Sequence, residues 1–302
     1  MKPVSPPRNL RLAHTEFIAL ATAVRNTATT PAGASARGSV VAWFIFMKQT
    51  IPLIDYFGGP LLVVVFLALL WLQWRFPLRR QQFSALRRIV RNLTLSIPSH
   101  AVFRLAMLPV PLAAASWAKH HGIGLLHWVS LPGWVAIIAS FLLMDYAYWW
   151  WHWANHMVPL FWRFHNVHHT DLDMDVSTAS RFHFGEMVFS IGFLALAVVL
   201  LGIAPMMLLI FLLAFEGATQ FHHSNWRLSL RLERALNHII VTPRMHGIHH
   251  SIVELETNSN WGTIFCWWDK LHRTLRRDVP QDEITVGVAA YRDEKDSPSD
   301  IS

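Results

Sequence analysis

The stretch HNVHH, residues 165–169, puts three imidazoles within five positions, and HGIHH repeats that spacing at residues 246–250. On a helix the first and fifth positions share a face and the fourth lies beside them, so each copy forms a convergent patch. A third motif, WHWANH, places His152 and His156 one helical turn apart. Neutral imidazole binds iron, zinc, copper or nickel, and spacing alone does not choose among these metals. The pattern predicts a metal site.

Two further motifs extend the histidine set. QFHHSN supplies His222 and His223, and RFHFGE supplies His183 with Glu186 close behind. Adjacent helical residues point about 100° apart, so we expect only one of His222 and His223 to face an ion directly. The candidate metal ligands are His152, His156, His165, His168, His169, His183, His222, His223, His246, His249 and His250. Structural zinc takes four ligands and octahedral iron six at most, so two ions are the simplest interpretation.

Each ligating ring also needs a partner for its second nitrogen. The polar residues close to the motifs in sequence are the candidates for that role, namely Asp145, Asp171, Asp173, Asp175, Glu186, Glu216 and Asn225. The other histidines lack partnered spacing and are expected in loops or at interfaces: His14, His100, His120, His121, His127 and His272. His238 is expected to be structural.

The composition places these motifs in a membrane protein. Of the 302 residues, 53% are hydrophobic and 15% are charged, whereas soluble domains carry about 25% charged residues. The single cysteine, Cys266, excludes an intramolecular disulfide framework, a CxxC redox pair and a cysteine-rich metal site. The net charge of +7 arises from basic residues segregated along the chain. This pattern is typical of membrane topology and does not indicate nucleic acid as a partner.

Four apolar regions must position the histidines. About 20 apolar residues cross a membrane, and we predict spans near residues 51–74, 93–117 and 125–148. The fourth region, 187–215, is broken at 202–205 and predicts a helical hairpin or two short tilted spans. The expected fold is an all-α polytopic membrane bundle of about four transmembrane helices, one of them a hairpin. A cytosolic helical cap holds the dimetal site.

Charge and composition also predict orientation and domain limits. Six Arg lie in residues 75–91, and ten Arg or Lys follow His222. The positive-inside rule then places every histidine motif on the cytoplasmic side. Residues 1–46 are predicted to be a disordered extension, with a targeting peptide or a translation start at Met47 as alternatives. Residues 47–280 form the membrane domain with its cap, and 281–302 form a flexible tail.

Several motifs together resemble the fatty acid hydroxylase/sterol desaturase superfamily of membrane di-iron enzymes. The resemblance covers about residues 51–280 and rests on DYAYWWWHWANH, LFWRFHNVHHTD, STASRFHFGE, QFHHSN, VTPRMHGIHHS and NSNWGTIFCWWDKL. It implies that nine residues match the family's ligand motifs: His152, His156, His165, His168, His169, His223, His246, His249 and His250. It favours His223 over His222.

The chain departs from the family pattern at three places. Phe184 stands at the proline of the family's R-H-P-x-E pattern, which leaves His183 less supported as a ligand. Trp153 follows His152 where the family often has arginine. The family's W-D-x-x-F-G-T ending reads WWDKLHRT here, with Leu271, His272 and Arg273 in place of the usual residues. None of these changes touches one of the nine histidines.

The resemblance implies an integral-membrane oxidoreductase with two Fe ions and O2 as co-substrate. It would hydroxylate or desaturate a C–H bond of a bilayer lipid. No flavin, nicotinamide or haem motif is present in the sequence, so electrons are expected from a separate ferredoxin- or cytochrome b5-like protein. A histidine-rich metal-binding or metal-transport protein is the alternative. Transport histidines are expected near mid-span, whereas these motifs lie at the predicted cytosolic ends.

Overall fold

A computed structural model describes residues 54–291. The predicted disordered extension and residues 292–302 lie outside the described residues. Between Ile54 and Tyr291 the chain folds as helices joined by loops, with three isolated β-bridges and no strand. The all-α prediction is therefore confirmed for this part of the chain.

Four helical stretches are long and apolar enough to cross a membrane. The first is Asp55–Arg75, whose main part is α1 (Gly59–Arg75). The second, Ala85–Trp128, is 44 residues long. It comprises α2 (Ala85–Val102), the π-helical turn Phe103–Met107, α3 (Pro109–His121) and α4 (Leu125–Trp128). Prolines at 98, 109 and 111 remove backbone donors, so this stretch is segmented.

The predicted hairpin forms two full helices, α7 (Phe184–Leu201) and α8 (Pro205–His223), which are the third and fourth candidate spans. Gly202 adopts a left-handed conformation at φ 71° and ends α7, and Pro205 begins α8. With 18 and 19 residues the arms are each about 27 Å long. They are longer than predicted because α7 starts directly after His183 and α8 continues to His223.

The predicted span at 125–148 differs from the structure. Residues 125–128 form the separate one-turn helix α4, and Pro132 precedes the 25-residue helix α5 (Gly133–Met157). This helix is not one of the four candidate spans, because Asp145 and the Tyr/Trp-rich second half lower its hydropathy. Helix α5 supports the bundle at its start and carries His152 and His156 at its end.

The bundle core lies between α3, α5 and the α7–α8 hairpin. Its fully buried side chains include Leu112, Met144, Leu194, Leu208 and Phe211. Short helices complete the cap: α6 (Pro159–His169), the 3-10 turn Val176–Ser180, α9 (Leu230–Leu236), α10 (Pro243–His249), α11 (Glu254–Thr257) and α12 (Trp267–His272). The core therefore fixes the ends of the helices that carry histidines.

Two backbone connections join distant parts of the cap. The segment 76–78 pairs with 225–227, through Leu78 N donating to Asn225 O and Arg227 N donating to Phe76 O. Near the end, Ile252 N donates to Thr285 O, and Gly287 N donates to His250 O. Backbone hydrogen bonds therefore continue to Tyr291. The sequence predicted that the membrane domain ends at residue 280.

Candidate metal centre

Nine histidines converge in two groups in the cap. The five-histidine group consists of His152, His156, His165, His169 and His249, and the four-histidine group consists of His168, His223, His246 and His250. Within each group the ligand nitrogens all lie within 4.8 Å of one another. These are the nine residues that the family resemblance implied, and each H-x-x-H-H copy contributes to both groups.

Four helices supply these side chains. At the end of α5, His152 and His156 project from one face, and Val158–Pro159 turns the chain directly into α6, which presents HNVHH. The last turn of α8 supplies His223. Thr242 caps α10, its hydroxyl accepting from Met245 N, and this helix presents HGIHH. The convergence thus depends on helix ends from both halves of the chain.

Five of the nine rings are oriented through Nδ1. His152 Nδ1 lies 2.9 Å from Trp261 O, His168 Nδ1 3.2 Å from Arg181 O, and His249 Nδ1 2.8 Å from Ser259 O. His223 Nδ1 lies 2.7 Å from Thr219 O, and His165 Nδ1 lies 2.9 Å from Glu186 Oε1. A proton on Nδ1 satisfies each contact and leaves the Nε2 lone pair free, which is how metal-bound histidines are held.

The remaining ring nitrogens test whether these residues fit metal ions. Buried nitrogens without a hydrogen-bond partner include Nε2 of His156, His165 and His249, Nδ1 of His246, and both nitrogens of His169 and His250. Buried polar atoms rarely lack partners, so such a cluster indicates an ion. In the four-histidine group, Nε2 of His223 lies 2.9 Å from Nε2 of His168 and 3.0 Å from Nε2 of His246. Rings that carry their proton on Nδ1 would face each other through two acceptor Nε2 atoms, an arrangement that a shared cation stabilises, so the residues fit a metal ion.

Burial favours the neutral form of His169, His249 and His250. It lowers the pKa of His169, His249 and His250 well below the usual value, and neighbouring histidines lower each pKa further. Desolvation penalises the protonated form, and neutral imidazole is the form that binds metal. Neither group contains a carboxylate or a thiolate. The arrangement suits two metal ions in an imidazole-rich, water-poor site.

His183 and His222 are the two predicted ligands that lie outside both groups. His183 precedes α7, and its Nδ1 accepts from Gly185 N as a helix cap. His222 Nδ1 lies 3.1 Å from Thr263 O, and its ring packs against that of His246 with 3.9 Å between centroids. His183 thus caps α7, while His222 packs against His246 of the four-histidine group.

Among the polar residues predicted to orient ligands, Glu186 makes a hydrogen bond with one of the nine histidines, His165. The other six bond elsewhere. Asp145 accepts from Ile264 N, Phe265 N and the Trp268 indole, and Asp173 accepts from Gln82 N and Phe83 N. Asp171 and Asp175 bind Arg88, Glu216 accepts from Gln220, and Asn225 pairs with Arg79. Apart from Glu216, whose bond lies within α8, these residues join segments of the cap around the ligands.

Sequence reasoning missed three arginines of the cap, of which two are fully buried and one, Arg79, is partly buried. Arg88 is 0% exposed and lies 2.9 Å from Asp171 and 2.7 Å from Asp175. Arg181 is also buried and donates to Val167 O and Thr170 in the HNVHH region. Arg79 lies against Gly247 of HGIHH, and burial lowers its pKa to about 10. Arg79 and Arg88 belong to the loop that the charge pattern assigned to topology, and no spacing signal separates them from its other arginines.

Comparison with known proteins agrees with this site. Residues 137–274, which contain all nine histidines, match the family model described as fatty acid hydroxylase. The ornithine lipid hydroxylase OlsE of Rhizobium tropici is 28% identical over 155 residues, covering 50% of this chain and 45% of that protein. Human cholesterol 25-hydroxylase is 28% identical over 170 residues, covering 51% of this chain and 60% of that protein.

A third relative, the alkylglycerol monooxygenase of Xenopus tropicalis, is 28% identical over 148 residues, which are 48% of this chain and 30% of that protein. The chain thus matches roughly a third to three fifths of the length of these relatives. No solved structure matches it. The family match over residues 137–274 and the lipid hydroxylases among its relatives agree with the motif resemblance to the fatty acid hydroxylase/sterol desaturase superfamily.

Proposed function

We propose that this protein is an integral-membrane di-iron oxygenase that hydroxylates or desaturates a C–H bond of a lipid. The observation that carries the proposal is the pair of buried imidazole groups whose unpartnered nitrogens converge. Their nine histidines would hold two irons. Bound iron supplies the O2 activation that attack on an unactivated C–H bond requires.

The chain's own residues have three tasks in this reaction. Glu186 and the carbonyls of Arg181, Ser259 and Trp261 fix the ring orientations. Burial of the cap excludes bulk water, which protects reactive species from side reactions. The packed helix ends hold both groups at a fixed separation before a substrate arrives, so little reorganisation is needed during turnover.

A lipid substrate is supported by the location of the site above apolar helices. Both groups lie at the ends of α5 and α8, and the α7–α8 hairpin is long and apolar enough to cross a membrane. Trp151 stacks on Phe193 with 4.8 Å between centroids and donates its indole N–H to Ser190. We propose that the substrate chain approaches between α5 and this hairpin from the bilayer.

The distribution of basic residues supports a membrane orientation and a class of electron donor. The basic residues at 75–91 and after His222 support a cap on the cytoplasmic side. We propose that a separate acidic electron carrier, ferredoxin- or cytochrome b5-like, docks there by electrostatic complementarity. This partner supplies the electrons that the reaction consumes with O2.

Iron analysis and lipid mass spectrometry test the proposal together. Protein purified from iron-supplied cells should contain about two irons per chain, as two histidine groups require. Lipids from cells that carry the gene should include a species that has gained one oxygen atom or lost two hydrogen atoms. Cells that express His165→Ala should lack that species. An unchanged lipid profile with altered cellular metal content would instead support a metal-transport protein.

A further inference from the structure

An aromatic cluster outside the nine histidines joins α12 to α5. It contains Tyr146, Trp149 and Trp150 on α5, His272 at the end of α12, and Trp261 in the preceding loop. His272 stacks on Trp149 with 4.0 Å between ring centroids and 16° between planes. Neither metal ligation nor the bundle core accounts for this arrangement.

Tyr146 and His272 are paired in a way that suits oxidation. The Tyr146 hydroxyl lies 3.0 Å from His272 Nε2, and the two rings stack at 15°. A phenol that loses an electron becomes strongly acidic, so it is oxidised more easily when a base can take its proton. Neutral imidazole offers one acceptor nitrogen. With the proton on Nδ1 that acceptor is His272 Nε2, which is within hydrogen-bond distance of the phenol.

A continuous aromatic path leads from this pair to a histidine of the five-histidine group. Trp149 is 2% exposed and donates its indole N–H to Asp269 over 3.0 Å. Its ring centroid lies 5.7 Å from that of Trp261. The Trp261 carbonyl oxygen in turn lies 2.9 Å from His152 Nδ1. Aromatic rings at such separations are close enough to exchange electrons.

The other end of the path reaches the surface of the described chain. Trp150 is 42% exposed, and its ring centroid lies 5.0 Å from that of Trp149 and 6.3 Å from that of Tyr146. An external reductant that contacts Trp150 is therefore within two ring contacts of the Tyr146–His272 pair. The cluster connects the buried site to a place where electrons can be supplied.

We propose that Tyr146 and His272 form a redox-active pair. The pair donates one electron to the oxidised metal centre when no substrate C–H bond is in place. The proposal rests on the oxygenase function proposed above. One electron leaves Tyr146 and passes through Trp149 and Trp261 to the centre, which is reduced by one electron. The phenolic proton moves to His272 Nε2, which leaves a neutral tyrosyl radical beside an imidazolium.

Recovery of the pair requires an external one-electron reductant of the hydroquinone class. The hydroquinone returns one electron through Trp150, and His272 returns the proton to the phenolate oxygen. The hydroquinone releases one proton to solvent and becomes a semiquinone, and the pair is restored. Without this route the unused oxidising equivalent would attack the buried histidines and tryptophans around it.

A purely structural role, in which the stack only packs α12 on α5, predicts no radical. The first test uses the full-length protein in lipid nanodiscs, with the site loaded with redox-inert Zn²⁺. Flash photo-oxidation by a ruthenium polypyridyl complex with an electron acceptor should generate a tyrosyl radical, detected by electron paramagnetic resonance. Zinc content and thermal midpoint identify any variant that fails to fold.

Matched variants assign that radical. Tyr146→Phe should abolish it, whereas Tyr148→Phe should retain it, because the buried Tyr148 hydroxyl has no hydrogen-bond partner. His272→Phe keeps an aromatic ring and removes the proton acceptor, and it should lower the radical yield about tenfold. An undiminished radical in Tyr146→Phe or in His272→Phe would overturn the proposal.

The second test addresses the path from the metal. Reduced, iron-loaded protein is mixed with O2 without lipid substrate and freeze-quenched, and the radical should appear in the wild type and be lost in Tyr146→Phe. Protein that oxidises lipid when substrate is present but never forms the radical would overturn this inference alone. Protein that forms no radical and oxidises no lipid would overturn the inference and the proposed function together.

Discussion

The two H-x-x-H-H copies have the same spacing but opposite assignments. HNVHH gives its first and fifth histidines, His165 and His169, to the five-histidine group and its fourth, His168, to the four-histidine group. HGIHH gives its first and fifth, His246 and His250, to the four-histidine group and its fourth, His249, to the five-histidine group. Each copy is therefore the complement of the other.

This exchange explains why one spacing is used twice. A single helical patch bridges two ion positions, because its fourth residue points to one side of the face shared by the first and fifth. Two such patches facing each other supply three ligands to each position. The remaining ligands break the equivalence, since His152 and His156 join one group and His223 joins the other.

The surroundings of the copies also differ. HNVHH lies on an 11-residue helix and is held by the side chains of Glu186 and Arg181. HGIHH lies on a 7-residue helix, and Arg79 packs on its glycine. One copy is thus supported by a carboxylate side chain, and the other is supported by the close approach of Arg79 to its backbone. Mutations can test how far this equivalence extends.

The largest effect is expected from the fifth histidine of each copy. His250→Ala leaves three histidines in its group, and His169→Ala leaves four in the other. His250→Ala should reduce metal content from about two to about one per chain, because a three-histidine site holds metal less tightly. His169→Ala should retain more metal, and both variants should lose lipid oxidation.

Metal analysis by mass spectrometry checks these ratios, with exposed His121→Ala as the control. Equal metal loss in the two variants would contradict the distinction between five and four ligands. Metal content of two in both would remove these residues from the ligand set.

The carboxylate brace is the next strongest target. Glu186→Gln removes the charge beside His165 Nδ1 while keeping the shape of the side chain. Loss of such a partner lowers metal affinity or activity about 10- to 100-fold. Competition with a chelator measures the affinity, and exposed Glu254→Gln is the matched control. Wild-type affinity in Glu186→Gln would show that the carboxylate is dispensable.

Substitutions at the second residue of each copy, Asn166 and Gly247, test the two types of support separately. A Cβ on Gly247 would lie 2.1 Å from Arg79 Nη1, which is held by Gln281 and Pro243 O. Gly247→Ala should therefore destabilise the protein by about 1–3 kcal/mol through overpacking. Asn166→Ala, at the same position of HNVHH, removes a side-chain oxygen that has no partner and should change stability little.

Thermal unfolding measures both substitutions, and a cycle with Arg79→Ala isolates the contact. The two changes should be less than additive if the clash with Arg79 causes the loss. Additive effects would show that the destabilisation by Gly247→Ala does not come from the contact with Arg79.

The smallest change in stability per residue is expected from acidification, which acts on histidines of both copies. Burial lowers the pKa of His169, His249 and His250 well below the usual value. Below about pH 6.5 the unfolded chain binds protons that the folded chain does not. Stability is thus fully retained above pH 6.5 and falls below it, by about 1.4 kcal/mol per pH unit for each such histidine. A thermal midpoint that stayed constant from pH 7.5 to 5.5 would contradict this.

The residues of the site were largely predictable because metal ligation restricts both residue type and spacing. The two H-x-x-H-H copies, WHWANH and HHSN contain all nine converging histidines. Glu186 was also among the predicted orienting residues. The other orienting partners are main-chain carbonyls, such as those of Trp261 and Ser259. Every residue has a carbonyl, so these partners leave no signal in the sequence.

The fold was predictable where hydropathy alone decides, as in the first span and the hairpin. Helix α5 shows the opposite case, because its Tyr/Trp-rich second half packs against the cap as well as the bundle. The anchoring contacts of Arg79 and Arg88 were not predictable either. An arginine that anchors a buried network and one that marks membrane orientation look the same until their partners, 80 to 200 residues away, are located.

The late position of HGIHH in the chain has a consequence for biosynthesis. Arg79 meets Gln281, 202 residues later in the chain, and His246 and His250 follow all four candidate spans. Translation adds about 5–20 residues per second, so the last ligands are synthesised about 1–5 s after the end of α8. Metal loading then follows insertion. A nascent chain interrupted before His246 would be inserted yet unable to complete the four-histidine group, and a bound metal would mark a finished protein.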